Sequence, residues 1–131
     1  MSFARLVPVL QHFPGHKLAD VDSSVRAALR SAEPGTSLAP GARIAIGVGS
    51  RGIANLSTIV RSTVSHFQEL GFQPFVIPAM GSHGGGTAEG QLDVLARYGV
   101  TEAGVGCPVL SSLEIVSLGR TAEGIETWMD R

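Results

Sequence analysis

The apolar residues of this chain repeat with two periods. From Asn55 to Leu70, Leu56, Ile59, Val60, Val64, Phe67 and Leu70 recur at helical spacing, and Gly71 sits where a C-terminal cap belongs. Thr87 to Tyr98 has the same period, with Leu92 and Leu95 inward and Gly99 as its stop. Asp20 to Arg30 carries a stripe of Val21, Val25, Ala28 and Leu29, capped by Asp20 or Asp22 and ended by Glu33-Pro34-Gly35-Thr36. The other period belongs to strands. Ala42 to Val48 alternates weakly and reads as a buried strand, and Phe72 to Ile77 is the next, stopped by Pro78. Leu6 to Leu10 is a short strand, with Pro8 favouring an edge. Val109 to Leu110, Leu113 to Leu118 and Ile125 to Met129 are further short strands, with a turn near Glu123-Gly124.

Strand, helix, strand, helix in this order predicts an α/β fold: a parallel-sheet, Rossmann-like βαβ domain with short additional C-terminal strands. The whole of 1–131 reads as one such domain, a size that suits a single core. Two glycine-rich loops, Gly47-Val48-Gly49-Ser50-Arg51-Gly52 and Gly81-Ser82-His83-Gly84-Gly85-Gly86, each follow a strand and precede a helix. Both then fall at the C-terminal edge of the sheet, where open α/β folds bind ligands. Order alone brings Arg51 and His83 toward one crevice.

Composition narrows the partners. The chain is 44% hydrophobic and 16% charged, below the usual quarter, so part of its surface is expected to be covered by another domain or subunit. A homo-oligomer is one way to cover it. The net charge of −1 argues against nucleic acid and anionic membranes, which require a basic face. Cys107 is the only cysteine, so no intramolecular disulfide forms, which fits a reducing compartment. The N-terminal apolar run is too short for a signal peptide or membrane helix, and a cytoplasmic location is the expectation.

The chemistry concentrates in the two loops. Glycines let backbone N–H groups approach a ligand, and a helix N-terminus just beyond His83 adds partial positive charge. A histidine there moves a proton near neutral pH. Arg51 has the fork geometry to hold a carboxylate or phosphate with two parallel hydrogen bonds, unless it is simply a solvated arginine. Residues 47–52 match G-x-G-x-x-G, but the next strand ends Val76-Ile77-Pro78, with no acid for a ribose. The following helix also begins late, near Asn55, which disfavours dinucleotide binding. His83-Gly84-Gly85-Gly86 is similar to a lipase-type oxyanion loop. The nucleophile elbow such enzymes need is matched only by Val48-Gly49-Ser50-Arg51-Gly52, with Val in place of the first glycine and in the wrong order. His12 and His16 are separated by Pro14 and Gly15, which break any shared helical face. His66 reads as structural, and Cys107 as a buried apolar thiol.

Together the two loops resemble the N-terminal domain of the nickel-dependent lactate racemase family. The similarity lies in Gly49-Ser50-Arg51-Gly52-Ile53 with Asn55-Leu56, in Pro74-Phe75, in Pro78-Ala79-Met80-Gly81-Ser82-His83-Gly84-Gly85, and in Thr87-Ala88-Glu89-Gly90-Gln91. Weaker similarity runs through Gly106-Cys107-Pro108 to Gly119-Arg120, so the likeness covers roughly 42–131. It looks closest to the branch with the glycine-rich histidine loop. The resemblance implies a two-domain α/β enzyme with its site in the cleft between domains. It implies a nickel-pincer nucleotide as cofactor and inversion of a 2-hydroxy acid by hydride transfer. By position it makes Arg51 the substrate or cofactor anchor and His83 one of two proton-transfer histidines. It puts Ser50, Gly52, Gly81 and Ser82 near the nucleotide. Val48 replaces the family's usual acid three before the arginine, and Gly84 replaces its frequent arginine after the histidine, so the acid turned over need not be lactate. The chain offers one good base and one carboxylate anchor, and no metal residues stand out. The resemblance assigns the second base, the nickel ligands and the cofactor-bearing lysine to a following segment. The 131 residues are therefore expected to be the N-terminal portion of a longer enzyme, inactive alone and in need of its C-terminal domain. The alternative is a non-catalytic anion- or nucleotide-binding α/β module built on the same loops.

Overall fold

A computed structural model describes residues 7–15, 17–32 and 37–130. The order of elements is α1 (Val21–Ala32), β1 (Arg43–Val48), α2 (Leu56–Glu69), β2 (Gln73–Pro78), a kinked turn (His83–Gly86) with Gly84 and Gly85 in the left-handed region, α3 (Ala88–Arg97), α4 (Glu102–Val105), β3 (Ile115–Arg120) and β4 (Glu126–Asp130). Each long periodic segment is found within two residues of its expected ends. The turn at His83–Gly86 and the one-turn α4 carry too few residues to show a period.

β1 and β2 pair in parallel, from Arg43 opposite Gln73 to Val48 opposite Pro78, with α2 as the crossover. Pro78 is the last residue of β2 rather than the stop before it. A proline at a strand's end gives up a donor that a longer ladder would have used. The β-strand foreseen at Val109–Leu110 is reduced to one bridge. Val76 N–H donates to Pro108 O at 2.8 Å, and Leu110 N–H donates to Val76 O at 2.9 Å. The described residues thus form a βαβ unit and a third lane one residue long, which is α/β but not a complete Rossmann-like sheet. β3 and β4 form a separate antiparallel hairpin, closed by Thr121 N–H on Ile125 O and irregular between Ser117 and Gly119.

Two further expectations about the strands need correction. Val7 to Leu10 is irregular, not a strand; among the described residues no other segment pairs with its backbone, and an unpaired run with Pro8 has no ladder to join. Leu6, His16 and the loop Glu33–Thr36 lie outside the described residues. β1 is also not buried on both faces: its burial alternates, with Ile44 and Ile46 half-covered, Val48 buried, and Arg43, Ala45 and Gly47 exposed. The weak alternation noticed in the sequence was the true signal, that of a strand covered on one side.

The core lies on that covered side. Val48 and Val76 from the sheet meet Leu56, Val60 and Val64 of α2, Leu95 of α3, and Val100, Val105 and Cys107 of the segment that follows. The α2 stripe supplies the buried side, and Gly71 ends the helix with its N–H on Gln68 O while Phe72 N–H returns to Phe67 O. No helix among the described residues is long and apolar enough to cross a membrane.

α1 attaches from outside through polar contacts. Asp20, not Asp22, is its cap, with Oδ1 accepting from Ser23 N–H at 3.1 Å. Asp22 instead accepts from the fully buried Ser62 hydroxyl of α2 at 2.5 Å and pairs with Arg26, which also reaches Glu69 at 2.8 Å. The Ser62 hydrogen bond, ahead of Arg26, holds the Asp22 carboxyl below its ordinary 3.8. A carboxyl lowered in the folded state contributes stability above its ordinary value and loses it as pH falls through the lowered one. Ser62→Ala should therefore speed amide exchange in α1 at neutral pH while leaving α2 and α3 protected. It should also flatten the acid-side loss of α1 protection below about pH 4. Unchanged α1 exchange at both pH values would show that apolar contacts alone hold the helix.

Candidate functional site

Parallel pairing places the ends of β1 and β2 side by side, and each strand runs on into one of the glycine loops. Ala79 N–H donates to Val48 O at 2.8 Å, extending the ladder one residue past β2. The two loops then diverge around an open cleft of about 350 Å³. Gly49, Ser50, Arg51 and Ile53 line one side of it, and Ala79, Met80 and Gly81 the other.

Among the residues singled out by sequence, Ser50, Arg51 and Gly81 line the cleft, whereas Gly52 and Ser82 do not. Arg51 is exposed and makes no ion pair among the described residues, so its guanidinium is available to an anion from solution. His83 is half-buried and meets the cleft through Ser50: the Ser50 Oγ and His83 Nδ1 lie 2.5 Å apart. Order along the chain brought Arg51 and His83 to one edge of the sheet, but gave no hint of this contact between residues 33 positions apart.

The two loops that carry the pair are tied down by residues to which the sequence reading gave no role. The Tyr98 hydroxyl donates to Ser50 O at 3.1 Å, tying the first loop to the end of α3. The buried Gln91 side chain donates through Nε2 to Gly81 O at 2.8 Å, and its Oε1 accepts from the Ser111 hydroxyl at 3.0 Å. A glutamine on the inward stripe of an amphipathic helix is a legible anomaly, because a buried amide needs partners. Tyr98, one residue beyond α3, carried no such signal.

The second loop also packs on its own helix. Gly84 has φ +66°, and a Cβ there would overlap the backbone carbonyl of Gly90; a Cβ on Gly90 would in turn overlap the Gly84 oxygen. Thr87 closes the contact, accepting from Gly90 N–H at 3.0 Å and donating to Gly84 O at 3.3 Å. The start of α3 is therefore capped from within the chain, and the partial charge expected there for a ligand is partly answered by Thr87.

The remaining candidates lie elsewhere. His66 is buried on α2 with its ring edge-on to Phe67 at 5.6 Å between centroids. Cys107 lines a different hollow of about 340 Å³, at the opposite end of β2 with Gln73 and Pro74. Burial, the largest cause, pushes its thiol up, which suits packing rather than nucleophilic chemistry. Among the described residues no three His, Cys, Asp or Glu side chains stand close enough to hold a metal ion.

Alanine in place of glycine in a helix usually adds about 1 kcal/mol of stability. At Gly90 the sign should reverse, because the added Cβ must displace the backbone of the histidine loop. Gly90→Ala is expected to cost about 2 kcal/mol in urea unfolding and to shift the His83 ring resonances. A stabilised variant with unchanged His83 signals would show that loop and helix are not in contact.

Set beside known proteins, the chain matches no family model, no curated protein and no solved structure.

Proposed function

We propose that this domain binds the carboxylate of a small 2-hydroxy acid at Arg51 and handles a proton at His83, as the N-terminal half-site of a racemase or epimerase. The observation that carries this reading is the joint position of the two side chains at the ends of neighbouring parallel strands. One offers a positive fork to the cleft, and the other an imidazole ring joined to it through Ser50.

The pairing suits that substrate class. Arg51 and Ser50 line the same cleft, so a carboxylate on Arg51 and a hydroxyl directed to Ser50, which contacts His83, can belong to one small acid. The α-hydrogen of such an acid is too weakly acidic for histidine to remove directly, whereas its hydroxyl proton can pass to a hydrogen-bonded base as hydride leaves the carbon. The βαβ unit is, on this reading, the start of a Rossmann-like sheet with the cleft at its carboxyl edge. Neither departure from the family pattern lines the cleft: Val48 is buried in the core and Gly84 packs on Gly90, so an acid other than lactate rests on the resemblance alone.

The nickel-pincer nucleotide implied by the resemblance finds no ligand set for its metal among the described residues. The proposal is accordingly confined to anchoring the anion and moving the proton. The other reading, an anion-binding module without catalysis, shares Arg51 and differs at His83.

Two substitutions separate these roles. In the complete protein His83→Asn should keep the fold and lower racemisation of the preferred 2-hydroxy acid by about a hundredfold or more. Arg51→Lys should weaken carboxylate binding by about tenfold with an unchanged melting temperature, since lysine cannot reproduce the two-pronged contact. Binding that depends on Arg51 without any turnover sensitive to His83 would establish the module instead.

A further inference from the structure

The cleft is lined by the Ser50 side of the Ser50–His83 pair, not by the histidine itself. Ser50 is buried, with 9% of its surface exposed, and its hydroxyl makes one hydrogen bond among the described residues, the one to His83 Nδ1. A buried hydroxyl needs an acceptor for its proton. If Nδ1 carried a hydrogen, it would donate to Oγ and leave the Ser50 proton without a protein partner. The arrangement that satisfies both groups has Ser50 donating to an unprotonated Nδ1, with the imidazole hydrogen on Nε2. The Tyr98 bond to Ser50 O and the Gln91 bond to Gly81 O hold the two loops that carry the pair.

We propose that Ser50 is the residue that touches the substrate hydroxyl, and that it relays the proton to His83 Nδ1. The proton balance is simple. The substrate O–H proton moves to Ser50 Oγ as the Ser50 proton moves to Nδ1. This leaves substrate alkoxide, a neutral serine and an imidazolium with hydrogen on both nitrogens. No bond to carbon is made or broken in this step, and no oxidant or reductant takes part. Return of the proton follows the same path in reverse. This assigns Ser50 a task different from holding a nucleotide, and it makes the substrate a hydroxy acid rather than any carboxylate. The last point rests on the 2-hydroxy acid reading above; the tautomer of His83 does not.

The experiment has two arms, the first on the 131-residue chain and the second, acid binding, on the complete protein. Nitrogen-15 NMR of the histidine rings, with His83 assigned by His83→Gln, reads the tautomer without any ligand. Wild type should show Nε2 protonated and Nδ1 as a hydrogen-bonded acceptor; Ser50→Ala should lose the Nδ1 hydrogen bond, and Ser50→Thr, which keeps a hydroxyl, should retain it. A protonated Nδ1 in wild type, or an Nδ1 signal indifferent to Ser50→Ala, overturns the relay. The second arm titrates lactate against propionate, and mandelate against phenylacetate. Wild type should prefer each hydroxy acid by about threefold to tenfold, and Ser50→Ala should bind the members of a pair alike. Carboxylates that bind through Arg51 with no hydroxyl preference in wild type overturn the relay but leave the anion site standing. Binding of none of the four acids overturns the 2-hydroxy acid reading and, with it, the substrate contact at Ser50. Covalent capture of Ser50 by a fluorophosphonate makes the serine a nucleophile and overturns the relay as well.

Discussion

The parallel pairing of β1 with β2 positions everything else of interest in this molecule. Six residue pairs hold the strands in register, and the Ala79 N–H on Val48 O carries that register past the end of β2. A parallel pair needs a crossover, and α2 supplies one with enough apolar surface to build the core on its own side of the sheet. Since both strands leave the sheet at the same edge, their following loops meet there. Loops released from a rigid edge can combine freedom of sequence with fixed origin, which is why such edges collect ligand sites.

Beyond that edge, order passes from regular ladders to individual polar contacts. The Ser50 carbonyl is fixed by Tyr98, the Gly81 carbonyl by Gln91, and Gln91 in turn by Ser111. These contacts span ten to forty-eight positions along the chain, so they lock the loops only once α3 has docked. The same logic applies on the other flank, where α1 buries no residue completely and is joined to α2 through Ser62, Asp22 and Arg26. The centre of the domain is apolar and its attachments are polar. Local opening should then begin at the attachments, which hold less apolar area.

How much of this was legible in the sequence follows from the range of each interaction. Helices such as α2 are written in nearest-neighbour spacing, and their caps in single residues, so their ends were found closely. The candidate loops were marked by glycine density between unlike periods. The contact of Ser50 with His83 depends on strand register and on the turn at His83–Gly86, neither of which has a local signature. The strand expected at Leu6–Leu10 failed, for the described part of it, because β-branched and apolar content registers only a willingness to pair; an actual partner is a tertiary fact. The third lane of the sheet shrank to Val109 for the same reason. Asp20 and Asp22 were equivalent as caps on sequence grounds, and only the position of Ser62 on the neighbouring helix separated their tasks.

The hairpin of β3 and β4 stands apart from the core sheet, and it carries the chain's only tryptophan, Trp128, which is 53% exposed. The only tyrosine, Tyr98, is bonded to the loop of Ser50. The two natural fluorophores therefore sit in separate structural neighbourhoods. Tryptophan emission follows the ribbon, while tyrosine ring signals follow the cleft. A two-stranded ribbon is marginal by itself, so its spectroscopic transition need not coincide with that of the domain beneath it. An unfolding curve taken from tryptophan alone would describe the ribbon's departure and leave the loss of the cleft unobserved.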